Sequence, residues 1–138
     1  MGTVIDTSVV VAMERALLEP GSVNLETLPR DCVIPAIVLM ELRVGALLAD
    51  TEARRFARER FASDLREAFP VGAFGAAEAG VAADVLVALR RRGLSIGERD
   101  LLIAATALTG GHSVMTLNIV EFQRVPSLVV LPPPLPPR

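Results

Sequence analysis

The chain has 138 residues, 51% of them apolar, with a formal charge of −2 and a single cysteine, Cys32. This is one domain with enough apolar material for a core of its own, so disorder, internal disulfides and thiolate metal clusters are excluded. The charge argues against coating nucleic acid with a basic surface, and the absence of lysine removes P-loop nucleotide hydrolysis and Asp-plus-Lys phosphoacceptor chemistry.

All 14 basic residues are arginine. Coding bias accounts for that composition. A functional reading also exists, because guanidinium forks suit bidentate contacts to phosphate or carboxylate. No apolar stretch approaches the ~18–20 uncharged residues of a membrane span. The N-terminus lacks a basic segment and Asp6 stands where a signal core would run, so a cytoplasmic, non-membrane protein is expected.

In chain order, Thr3 to Asp6 reads as a short buried strand, and Thr7 or Ser8 caps a helix running to about Leu18, where Pro20-Gly21 breaks it. Cys32 to Pro35 is a second strand, followed by a helix over about 36–49. A third helix, about 51–67, is amphipathic: Phe56, Ala57, Phe61 and Leu65 mark its buried side, and Arg54, Arg55, Arg58 and Arg66 its wet side. Phe69 to Phe74 gives a third strand interrupted by Gly72. An Ala-rich helix over about 76–92 ends in Arg90-Arg91-Arg92 and Gly93. Ser95-Ile96-Gly97-Glu98 fits a capping box leading into a very apolar helix, 99–109, which Gly110-Gly111 stops. Ser113 to Leu117 is a fourth strand and Leu128 to Leu131 a fifth. Strands alternating with helices at this spacing predict an α/β fold, a four- to five-stranded, mostly parallel sheet with helices on both faces. Residues 132–138 form a proline-rich tail, either a solvated terminus or a polyproline ligand.

Four carboxylates stand beside apolar runs: Asp6 after Val4-Ile5, Glu41 between Met40 and Leu42, Asp100 before Leu101-Leu102-Ile103, and Glu121 after Ile119-Val120. An ionised carboxylate against packed hydrocarbon is costly unless a cation or hydrogen bonds satisfy it. Converging on one point, they would make a hard-cation site suited to phosphodiester chemistry. In open α/β sheets ligands bind beyond the carboxyl ends of the strands, where Asp6, Thr116 and Asn118 fall. Each residue has a structural alternative. Asp6 is a helix cap, Asp100 answers a helix dipole, Glu41 is a surface residue beside Arg43, and Asn118 forms a turn. His112, the sole histidine, excludes a two-imidazole ribonuclease, and Ser or Cys triads lack partners.

Val4-Ile5-Asp6-Thr7-Ser8 and Ile34-Pro35-Ala36-Ile37-Val38-Leu39-Met40-Glu41-Leu42 resemble the opening of PIN-domain proteins. Asp100-Leu101-Leu102-Ile103-Ala104-Ala105-Thr106-Ala107 and Asn118-Ile119-Val120-Glu121-Phe122-Gln123-Arg124-Val125-Pro126 are the more specific stretches, and together they resemble the VapC toxins of toxin–antitoxin pairs. The resemblance implies a PIN-like α/β/α sandwich over residues 1–131. It implies Asp6 and Asp100 as direct Mg²⁺ or Mn²⁺ ligands, with Glu41 completing the cluster directly or through water. Asn118 and Glu121 match the family's fourth position, and Thr116 orients water or phosphate. Leu117 replaces a residue that is often polar, and Glu121 is longer than the usual aspartate.

The implied activity is endoribonucleolytic, with a metal-activated water attacking a backbone phosphorus in line and leaving a 5′-phosphate and a 3′-hydroxyl. Arg43, Arg99 and Arg124 are candidates for holding RNA at the cleft, with Arg54, Arg55 and Arg58 further out. The resemblance also implies a VapB-like antitoxin, seated on an apolar groove between the 36–49 and 51–67 helices, and a homodimer. Two rivals stand beside the toxin: a PIN nuclease that processes RNA without an antitoxin, and a degenerate scaffold whose carboxylates bind an arginine-bearing partner. A strand-one aspartyl phosphatase is rejected, since Ser8 occupies the place of its second carboxylate.

Overall fold

The computed structural model describes residues 2–17 and 25–134. Strand β1 (Thr3–Ile5) leads directly into α1 (Thr7–Leu17), and after a 3₁₀ turn (Leu25–Thr27) come β2 (Cys32–Pro35), α2 (Ala36–Leu47) and α3 (Glu52–Ala68). Then follow β3 (Val71–Gly72), α4 (Ala76–Arg91), α5 (Glu98–Gly110), β4 (Ser113–Met115), α6 (Ile119–Phe122) and β5 (Val130–Leu131). The expected helix end at Leu18, the Pro20-Gly21 break and tail residues 135–138 lie outside the described residues.

The five strands form one parallel sheet in the order β3-β2-β1-β4-β5, as the alternation of elements predicts. Val4 and Ile5 of the central strand are both fully buried. Successive strand residues point to opposite faces, so helices cover both sides of β1. Val9, Val10 and Met13 of α1 also reach zero exposure. α5 is buried nearly all round through Leu101, Ile103, Ala104, Ala105, Thr106 and Ala107, which accounts for its apolar sequence. Its alanines let α4 pack closely against it, while α2 packs on α3 and α1. Gly111, at φ 68°, ends α5 in the left-handed region that a side chain disfavours.

Several elements differ from expectation for local reasons. β3 spans only Val71–Gly72 because Phe69 closes α3, giving its N–H to Leu65 O, and Pro70 has no N–H to give. Gly72 lies so close to Thr106 that a Cβ would stand 3.0 Å from its methyl group. β4 stops at Met115 because the Leu117 and Asn118 N–H groups turn to the hydroxyls of Ser8 and Thr116. The turn after it is the short helix α6, anchored by fully buried Phe122. The expected capping box at Ser95 does not form. α5 starts from Gly97 with no side-chain cap, and the Ser95 carbonyl instead accepts from Arg124.

On α3, Phe61 and Leu65 are buried as predicted, but Phe56 is 67% exposed. Phe56 and Leu65 are nine residues apart, close to half a helical turn out of phase on a period of 3.6. Arg58 leaves the wet side. It donates to Gly45 O at 2.8 Å and lies 3.5 Å from Glu14, tying α3 to α2 and α1.

Candidate active site

β1 is the place where the strand order reverses: the chain runs outward through β2 and β3, then returns to β4 and β5 on the other side. The crevice beyond the carboxyl ends of β1 and β4 is therefore the topological switch point, the position at which open α/β sheets bind ligands. Asp6 follows β1 and Thr116 follows β4, with exposures of 2% and 0%.

Asp6 is held from two sides. Ser8 Oγ donates to Asp6 Oδ2 at 2.6 Å and Thr116 Oγ1 donates to the same oxygen at 2.8 Å. Ser8 Oγ also accepts the Leu117 N–H at 3.1 Å, and Thr116 Oγ1 accepts the Asn118 N–H at 2.8 Å. The chain leaving β4 is thus bonded back onto the start of α1. Thr7 and Ser8 do not cap α1. They lie inside its first turn, and the Asp6 carbonyl accepts the N–H groups of Val9 and Val10. The two hydroxyls thus differ from the expected caps, and the mark of their task in the sequence is their position immediately after a buried carboxylate.

Glu41 comes from mid-α2, with a side chain only 15% exposed. Its Oε1 accepts from Thr7 Oγ1 at 2.8 Å, and its Oε2 faces Arg99 Nη1 at 3.2 Å. The neighbouring Arg43 turns away to Glu59, at 2.9 Å. Asp100, third in α5, is half-buried, and its pKa is pushed up to about 7. Burial is the largest cause, followed by a hydrogen bond to the Glu121 carboxyl and then the charges of Asp6, Glu121 and Glu41. All four predicted carboxylates therefore share one neighbourhood. Asn118 contributes through its backbone, as the residue before α6, and its side chain makes no cap. Arg124 lies beside the α5 entrance through its bond to the Ser95 carbonyl, 3.1 Å.

Among the described residues no three His, Cys, Asp or Glu side chains already converge as a finished cation cage. The carboxylates relieve their repulsion pairwise instead: Asp100 with Glu121, Glu41 with Thr7 and Arg99, Asp6 with Ser8 and Thr116. A divalent hard cation suits this donor set, which is all oxygen, with Asp100 half-buried beside the carboxylates of Asp6, Glu41 and Glu121.

The family model that matches the chain is the PIN domain, over residues 3–128. The chain belongs to the PIN-domain family. Within it the relatives are VapC proteins. Ribonuclease VapC of Rickettsia bellii is 36% identical over 98% of this chain and 98% of its own. Ribonuclease VapC1 of Rickettsia felis is 35% identical over 95% of this chain and 96% of its own. Among solved structures, VapBC2 from Rickettsia felis, bound to a DNA fragment from their promoter, superposes with a TM-score of 0.80. That match is 26% identical and covers 96% of this chain and 98% of the other. The five-stranded parallel sheet flanked by helices is thus the PIN architecture, with Asp6, Glu41, Asp100 and Glu121 of this PIN domain gathered at its switch point. Among the described residues no helix is long and apolar enough to cross a membrane.

Proposed function

We propose that this PIN domain is a Mg²⁺- or Mn²⁺-dependent endoribonuclease and the toxin of a type II toxin–antitoxin pair. The observation that carries the reading is the placement of Asp6, Glu41 and Glu121 around Asp100, whose pKa burial first and these neighbouring carboxylates second push up to about 7. Relatives that span nearly the whole chain are named ribonucleases, and a structural neighbour is a VapBC pair.

Asp6, Asp100 and Glu41 would hold the cation, with Asn118 and Glu121 at the fourth position. When bound, the cation supplies a nucleophile at neutral pH and offsets charge that builds on the scissile phosphate. The chain's own groups do the positioning. Thr116 and Ser8 fix Asp6 through one oxygen, and Thr7 fixes Glu41. Such partners of ligating carboxylates typically matter about 10- to 100-fold for metal affinity or activity. Water attack in line with the P–O3′ bond leaves a 5′-phosphate and a 3′-hydroxyl. Arg99 and Arg124 flank the cleft and neutralise RNA phosphates locally, despite the overall negative charge. Arg43 stands further off, on the α2–α3 face.

A VapB-like antitoxin fits the groove of about 660 Å³ between α2 and α3, lined by Leu39, Leu42, Ala46 and Ala62 with Arg43 and Arg66 at its edges. Leu47 and Leu48 at the end of α2 and Phe56 of α3 are also exposed, and a homodimer belongs to the same reading. The test is cleavage of total RNA in EDTA, Mg²⁺ or Mn²⁺ by wild type, Asp6→Asn and Asp100→Asn. Metal-dependent cuts at few sites, lost in both variants, are expected. Folded, antitoxin-free protein that cuts under neither metal would reduce the domain to a binding scaffold.

A further inference from the structure

Both oxygens of Glu41 are engaged, Oε1 by the Thr7 hydroxyl and Oε2 by the Arg99 guanidinium. Each oxygen keeps a second lone pair, but a divalent cation held at Glu41 neutralises its charge and repels the adjacent guanidinium, so it competes with Arg99 rather than with Thr7. Thr7 is a short side chain in the first turn of α1, next to Asp6. Arg99 is long and its side chain is 66% exposed, so its ion pair is the weaker tie. Once displaced it does not leave, because its backbone is fixed in the first turn of α5 beside Asp100. A free guanidinium fork at that edge matches a phosphate that approaches the carboxylates.

Resting on the nuclease reading above, we propose that Arg99 is an exchanging counter-ion. It neutralises Glu41 before the cation arrives, and cation binding at Glu41 hands it to the substrate phosphate. Arg99 is then a positioning residue that couples the two arrivals: RNA engages fully only after the cation has freed the arginine. The arrangement also offsets repulsion within the cluster, since one of its four carboxylates is paired with a guanidinium of the same chain.

The experiment has two arms on full-length protein. In the first, Mn²⁺ is titrated calorimetrically into wild type and Arg99→Gln, with thermal melts confirming that both fold. Removing the competing cation tightens Mn²⁺ binding about two- to fivefold, the range an exposed ion pair supports. Unchanged or weaker Mn²⁺ binding in Arg99→Gln, or none in either protein, overturns the proposal. In the second arm, binding of a single-stranded oligoribonucleotide is measured in EDTA for wild type, Glu41→Gln, Arg99→Gln and the double variant. Glu41→Gln frees Arg99 without metal, so RNA binding tightens about two- to fivefold, and the gain shrinks when Arg99 is already gone. An equal gain in both backgrounds would mean simple loss of a negative charge and would overturn the handover. RNA binding by none of the four proteins, with the Mn²⁺ arm as expected, would retire the nuclease reading and the handover while supporting the exchange at Glu41.

Discussion

Thr116 donates its hydroxyl to Asp6 Oδ2 at 2.8 Å, joining the ends of two adjacent strands that are 110 residues apart in sequence. The bond is fully buried, and the same hydroxyl accepts the Asn118 N–H that turns the chain out of β4. One side chain thus orients a predicted ligand and sets the course of the loop that carries Glu121.

Thr116→Val keeps the shape and removes the hydroxyl. A part-buried N–H at Asn118 and a buried oxygen of Asp6, which keeps Ser8, then lose a partner, which destabilises the fold by about 1–2 kcal/mol. Mn²⁺ affinity or cleavage is expected to fall about 10- to 100-fold. Urea melts and Mn²⁺ titration of the folded variant measure the two effects separately. Wild-type affinity in Thr116→Val would mean that Ser8 alone suffices to hold Asp6.

The raised pKa of Asp100 makes stability pH-dependent in a definite sense. Its folded value, about 7, lies above the ordinary 3.8, so the folded chain binds more proton than the unfolded chain between those values. In EDTA the stability from that proton is complete below the lower value and is lost as pH rises through about 7. Asp100→Asn removes this decline, and saturating Mn²⁺ reverses it, because the cation replaces the proton. Urea midpoints across pH, with and without Mn²⁺, check both; a flat wild-type profile in EDTA would show that Asp100 holds no such proton.

On α3 two phenylalanines separate core from surface. Phe61 is 4% exposed and Phe56 67%. Phe61→Ala is expected to destabilise by about 3–5 kcal/mol. Phe56→Ser should change stability by no more than about 0.5 kcal/mol. If the exposed side of α3 takes part in seating an antitoxin, Phe56→Ser weakens that complex while RNA cleavage by the free protein is unchanged.

Cys32 is fully buried, and burial, with a smaller contribution from Asp31, pushes its thiol up to about 12. The thiolate is the reactive form, so the folded protein resists thiol reagents at mildly alkaline pH and reacts once unfolded. The stability from keeping the thiol neutral is present below its ordinary value of 9.0 and is lost as pH rises through about 12. Rapid labelling of the native protein would indicate that β2 opens locally.

The sequence alone determined the alternation of strands and helices, the parallel sheet and the four carboxylates, because each leaves a local mark. Buried parallel strands read as apolar runs, α5 as an unbroken apolar helix, and an acid inside such a run stands out. The tertiary structure decided what those residues touch. That Thr7 and Ser8 serve Glu41 and Asp6 rather than a cap, that Arg99 and not Arg43 meets Glu41, and that Phe56 faces water while Arg58 is drawn in are all outcomes of packing between elements. Local pattern carries no record of which helix face meets which neighbour. A site assembled from four separate segments acquires its hydrogen bonds and its shifted proton only when the sheet closes around β1.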